Sequence, residues 1–164
     1  MVILHTARLI LRPTQIGDLD AFFQIMRNPR AMAHWSTLPH AGIDVTRDWM
    51  GSMLDHADSG HELVIERDNV LIGKAGGWLL PKIGYILHPD HWSMGYATEA
   101  MAAIIPHIWA TSDVRELVAD VDPLNPASVR VLINLGFREN GRAEWTFCIG
   151  GVWADSIYLA LPRP

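Results

Sequence analysis

At 164 residues, 49% of them hydrophobic and 19% charged, the chain suits one folded, soluble domain with a sizeable core. A net charge of −5 argues against a general nucleic-acid binder and is compatible with a cationic amine substrate. The single cysteine, Cys148, excludes an intrachain disulfide framework and a Cys-cluster metal site.

The opening MVILHTARLI is apolar but short, and leads into LRPT without a small-residue cleavage site, so no signal peptide is expected. No apolar run approaches the ~20 residues of a membrane span. These features together place the chain in the cytoplasm, with no membrane partner. No repeat or linker divides it, so residues 1–164 are expected to form a single domain.

RLILRP (8–13) reads as a first strand that stops at Pro13. DLDAFFQIM (18–26) sets Leu19, Phe22, Phe23 and Met26 at helical spacing behind Asp18 as a cap, and Asn28-Pro29 ends it. A second helix follows Asp44, with Val45, Trp49 and Met53 on one face and Gly60 beyond its end. The period then changes to strands at 62–67, 69–80 and 82–89. A helix beginning near Gly95 buries Ala97, Met101, Ile104 and Ile108, and Pro106 is expected to kink it. ELVADVD (116–122) is a strand. Asn125-Pro126 opens a helix with Val129, Leu132 and Ile133 inward, closed by Gly136. The chain ends in a hairpin around Gly150-Gly151. Strands mixed with helices in this way predict an α/β or α+β fold, a sheet with helices on its faces.

The stretch HPDHWSMGYATEAM (88–101) carries the chemistry. A helix start leaves about four N–H groups unpaired. Ser93 is placed to cap them. Equally, Gly95 followed by the small Ala97 and Thr98 would let a phosphate approach the bare amides and the positive end of the helix dipole. The turn lacks the Lys of a P-loop and the glycines of a dinucleotide fingerprint, which excludes a Walker-type triphosphate site or a Rossmann one.

KIGYILHPDHWSMGYATEAM resembles the acyl-CoA-binding segment of GNAT-superfamily N-acetyltransferases, especially the RimJ/RimL-like branch of ribosomal-protein alanine acetyltransferases. VDPLNPASVRVLINLGF (121–137) is similar to a second element of that family, and ARLILRP and DSIYLAL resemble the two ends of the branch. The resemblance implies a mixed, mostly antiparallel seven-stranded sheet splayed between strands 4 and 5, with about four helices on its faces. It implies acetyl-CoA as co-substrate, its pantetheine paired with backbone of Tyr85, Ile86 and Leu87. The pyrophosphate would rest on amides of Ser93, Met94, Gly95, Tyr96, Ala97 and Thr98. Asn125 would contact cofactor or ordered water, and Ser128 would face the thioester sulfur and help the thiolate leave.

The chain departs from the family pattern in three places. Ser93 stands where the family has glycine, and Met94 where it has a basic residue. Leu132 occupies the position of a tyrosine acid, so that role passes to Ser128 or water. Asp120 matches an acidic base in some relatives; Glu144, His88 or a water chain are alternatives. Trp35 and Trp78 are the aromatic residues expected at the acceptor site. Eight His without paired spacing predict no metal site. The resemblance thus implies an N-acetyltransferase acting by direct attack in a ternary complex, on a protein N-terminus or peptide amine ahead of a small amine. The contrasting reading is a weakly catalytic acyl-CoA-binding module. The chain would act as a monomer or a homodimer.

Overall fold

The chain alternates short helical and extended segments whose apolar residues must be buried on two sides of one sheet. The computed structural model describes residues 2–164. Its strands are β1 (Leu4–His5), β2 (Ile10–Arg12), β3 (Glu62–Arg67), β4 (Val70–Leu79), β5 (Lys82–Leu87), β6 (Glu116–Val121), β7 (Arg138–Ile149) and β8 (Val152–Pro162). Its helices are α1 (Leu19–Met26), α2 (Ile43–Asp55), α3 (Tyr96–Thr111) and α4 (Pro126–Asn134).

The eight strands form one sheet in the order β1-β2-β3-β4-β5-β6-β8-β7. Every neighbouring pair is antiparallel except β5 and β6. The residues of β3 show why both faces are covered. Leu63 and Ile65 join the core under α3, with Met101, Ile104 and Ile108, whereas Val64 between them packs with Phe22, Met50 and Met53 of α1 and α2. That alternation is the period-2 geometry of a strand. Each fully buried side chain such as Phe22 or Leu11 contributes about 1.5–3 kcal/mol.

The eighth strand corrects the expected seven. His5 and Leu4 pair with Ile10 and Leu11, and a two-residue edge strand has no period to read. The strand expected over 8–13 narrows to Ile10–Arg12. The Arg8 N–H leaves the ladder for Glu99 Oε1 (3.0 Å) in the first turn of α3. Asp18 does not cap α1. Its carboxylate instead takes two bonds from Arg12 (2.8 and 2.9 Å) and one from the Gln15 amide (2.8 Å). Val45, expected inward, is exposed and Thr46 takes the buried position; in α4 Leu132 is buried and Val129 partly buried as expected, whereas Ile133 is exposed. A helix face is set by the neighbour it meets, and one residue of phase turns it by ~100°. Helix α3 runs through Pro106 to Thr111 as one element. Gly60, Gly136, Gly150 and Gly151 all hold left-handed backbone where the chain reverses or a helix ends.

Candidate functional site

The parallel pair β5–β6 holds register only at Lys82↔Val118. Beyond it the strands diverge, so Tyr85, Ile86 and Leu87 have β4 on one side and no strand on the other. A cleft of ≈ 790 Å³ occupies the opening, within the usual range for a small-molecule site. Its walls come from the end of β5, the end of β6, the start of α3, the start of α4 and the segment between α1 and α2.

Helix α3 begins at the mouth of this cleft. Gly95 is its N-cap, with φ +79, and Ser93 two residues earlier has φ +60. No side chain caps the helix, so the expected Ser93 cap is not formed. The first helical bond runs from the Glu99 amide to the Gly95 carbonyl (3.0 Å), which leaves the amides of Tyr96, Ala97 and Thr98 free of helical partners. Amides arrayed around left-handed residues form an anion-binding concavity. Ser93, Gly95, Tyr96, Ala97 and Thr98 line the cleft; Met94 does not, and is 47% exposed. Cationic charge comes from elsewhere in the chain. Arg30, which lies over the Trp92 ring at 5.4 Å, and Arg130 of α4 both line the cleft. Neither belongs to the turn, and no local spacing announces them.

On the α3–α4 side, Asn125 caps α4 by accepting the Ser128 amide (3.2 Å). Ser128 Oγ lies 2.7 Å from the Tyr85 hydroxyl, which also donates to the Ser128 carbonyl (2.9 Å). Burial pushes the Tyr85 phenol up to about 12, with the Ser128 hydroxyl pulling the other way. The phenol is thus a proton donor at neutral pH. Tyr85 was expected only as a backbone partner, and its side chain joining Ser128 is a product of the fold.

Asp120 stands on the opposite face. Leu117, Ala119 and Val121 face the core under α3 and α4, and strand alternation turns Asp120 toward the α1–α2 side. Partial burial raises its carboxyl above the ordinary value, and the Ser156 hydroxyl and the Lys82 charge oppose that rise. Of the two expected acceptor tryptophans, Trp35 lines the cleft and Trp78 does not. Trp78 is 53% exposed and lies under the Lys82 ammonium. His88 sits in a separate shallow depression, its Nδ1 accepting the Asp90 amide (3.3 Å), and Glu144 is exposed on β7 away from the cleft.

Behind Trp35, the buried Lys74 pairs with Glu62 between the rings of Trp35 and Trp49 (5.6 and 5.3 Å). In front of it, His34 Nδ1 meets Asp122 Oδ2 at 2.8 Å. Among the described residues no group of three or more His, Cys, Asp or Glu comes together that could hold a metal, and no helix is long and apolar enough to cross a membrane.

Residues 8–138 match the family model described as "Acetyltransferase (GNAT) domain". A Bacillus licheniformis protein described as an uncharacterized N-acetyltransferase, p20, is 26% identical over 86% of this chain and 85% of its own. The [ribosomal protein uS5]-alanine N-acetyltransferase of Escherichia coli (strain K12) is 30% identical over 50% of this chain and 42% of its own. The fold is shared with the spermidine N-acetyltransferase from Vibrio cholerae solved in complex with CoA and spermine, with a TM-score of 0.78 and 21% identity, covering 96% of this chain and 97% of that one.

Proposed function

The chain belongs to the GNAT acetyltransferase family, and from that premise we propose that it moves an acetyl group from acetyl-CoA to a primary amine, a peptide N-terminus ahead of a small amine, by direct attack in a ternary complex. The observation that carries this reading is the opening between β5 and β6, with an uncapped helix N-terminus at its mouth and the Tyr85–Ser128 pair inside it.

The residues fit such a co-substrate. Free amides from Ser93 to Thr98 and the α3 dipole offer donors to a pyrophosphate, with Arg30 and Arg130 supplying the charge that Met94 does not. The unpaired edge of Tyr85, Ile86 and Leu87 offers strand-like pairing to the pantetheine amides, and an N–H there would steady the carbonyl oxygen as it gains charge. Ser128 and Tyr85 together hand a proton to the departing sulfur. Asn125 fixes the start of the helix that carries Ser128. From the other face, Asp120 attracts the cationic amine beside Trp35. Most of the rate then comes from holding amine and thioester together. One free, exposed cysteine suits the reducing cytoplasm.

A small cationic amine is the second reading, favoured by two carboxylates, Asp120 and Asp122, in the cleft wall. The test follows free thiol released from acetyl-CoA across peptides with different N-termini, polyamines and amino acids, after subtracting release without amine. Turnover on peptides ahead of the small amines supports the proposal. Turnover on polyamines alone selects the second reading. Acetyl-CoA binding without turnover on any amine leaves an acyl-CoA-binding module.

A further inference from the structure

His34 and Asp122 are 88 residues apart, and both line the cleft. The Asp122 carboxylate is held from two sides: Oδ1 accepts the Leu124 amide (2.8 Å), and Oδ2 lies 2.8 Å from His34 Nδ1. An ionised carboxylate can only accept, so Nδ1 carries the hydrogen and the neutral ring keeps its lone pair on Nε2. His34 is itself placed between two anchors. Met32 is buried, and Trp35 packs behind it with its amide bonded to the Met32 carbonyl (3.1 Å). The imidazole side chain is 34% exposed, and no partner for Nε2 is found among the described residues.

A base on the wall of a cleft, a group that fixes its tautomer, and a lone pair without a partner make the arrangement found in general-base sites. Resting on the acetyl-transfer reading above, we infer that His34 is the base that takes the proton of the acceptor amine, with Asp122 as its positioning residue. Asp120 keeps a separate task. The imidazole, its tautomer fixed by Asp122, keeps an open lone pair for the proton that the ammonium must lose. The Asp120 carboxylate is better suited to attracting that ammonium.

The protons balance as follows. His34 Nε2 takes one proton from the ammonium. The freed lone pair attacks the acetyl carbon, and the C–S bond breaks with its electron pair on sulfur. The nitrogen's second proton goes to the thiolate through the Ser128–Tyr85 hydroxyls, and the third stays on the amide. His34 then releases its proton to water. Other titratable or charged groups lining the same cleft are Arg30, Tyr85, His91, Tyr96, Asp120 and Arg130.

The test compares wild type, His34→Gln, His34→Ala and Asp122→Asn. It uses acetyl-CoA with N-terminal alanine and serine peptides and with spermidine, and it also records thiol release with no amine. His34 is exposed, so these variants are expected to fold, and melting curves check that. The expected result is a kcat about 10²-fold lower in His34→Gln, with acetyl-CoA affinity unchanged. The acidic limb of the pH–rate profile should vanish, and added imidazole should partly rescue His34→Ala. Asp122→Asn should lower kcat less and move that limb. Wild-type kcat and pH profile in folded His34→Gln would overturn the inference and leave the acetyl-transfer reading standing. If no amine is acetylated, the acetyl-transfer reading fails, and amine-free thiol release then judges His34: loss in His34→Gln still supports a base there. Amine-free release that is unaffected by the substitution, or absent in wild type, overturns the inference as well.

Discussion

The Tyr85 hydroxyl lies 2.7 Å from Ser128 Oγ and 2.9 Å from the Ser128 carbonyl, joining the end of β5 to the first turn of α4 across the cleft. Two hydroxyls in one bonded pair form one proton path. Ser128→Ala and Tyr85→Phe should each cut kcat by about 10-fold or more, with acetyl-CoA affinity nearly unchanged. Because they act as a unit, the double variant should be little worse than the poorer single one. Turnover and melting temperature measured on the same samples separate this from lost stability. Full kcat in a less stable Ser128→Ala would reduce Ser128 to a helix-start residue.

The same pair sets a titration. The Tyr85 phenol is pushed up to about 12 by burial. Its folded value lies above the ordinary one of about 10, so the folded state holds the proton more tightly. The stability tied to neutral Tyr85 is therefore complete below about pH 10 and is lost as pH rises from about 10 toward about 12. Ultraviolet titration should show one tyrosine ionising late, and Tyr85→Phe should remove that late step.

Gly95 at φ +79 and Ser93 at φ +60 bend the chain into α3. A Cβ on Gly95 meets no atom nearer than the Arg8 guanidinium at 3.5 Å, so strain at this position comes from the backbone angle. Left-handed backbone costs a non-glycine residue about 1–2 kcal/mol. Gly95→Ala should fold with a lowered melting temperature and weakened acetyl-CoA binding by calorimetry, and Gly95→Val should lose more of both. Unchanged affinity in a folded Gly95→Val would put the phosphate site elsewhere.

Asp120 is raised by partial burial, against the pull of Ser156 and Lys82. Its charged form therefore develops at higher pH than an ordinary aspartate's. Capture of a cationic amine should weaken as pH falls through that raised value. Asp120→Asn should raise the acceptor KM more than it lowers kcat and should flatten this pH dependence of kcat/KM. A kcat loss at unchanged KM would make Asp120 the base instead.

Lys74 is 4% exposed, and Glu62 is its charge partner. Glu62→Gln leaves a buried ammonium uncompensated and should cost about 3 kcal/mol of stability in urea unfolding. Lys74→Met with Glu62→Gln, which removes both charges, should recover much of that loss.

Local signals were legible along much of the chain. The β3 strand over 62–67 and the α1 helix from Leu19 follow from side-chain periods, and the Asn125 cap and the Gly150-Gly151 turn follow from backbone chemistry within a few residues. The fold class and the turn at Ser93–Thr98 were readable for the same reason: caps, glycines and periodicity are near-neighbour effects. The width of the buried stripe was not: Val129 and Leu132 of α4 pack on the core as their spacing predicts, but Ile133 beside them is left exposed, and in α2 Thr46 is buried in place of Val45. The two-residue β1 exists only because β2 is there to pair with it. The pairs Tyr85–Ser128, Lys74–Glu62 and His34–Asp122 join residues 43, 12 and 88 positions apart. No residue's own propensity encodes such a meeting. It arises when the sheet order sets β5 beside β6 and the α1–α2 segment folds over their divergent ends, and that is decided by the tertiary structure alone.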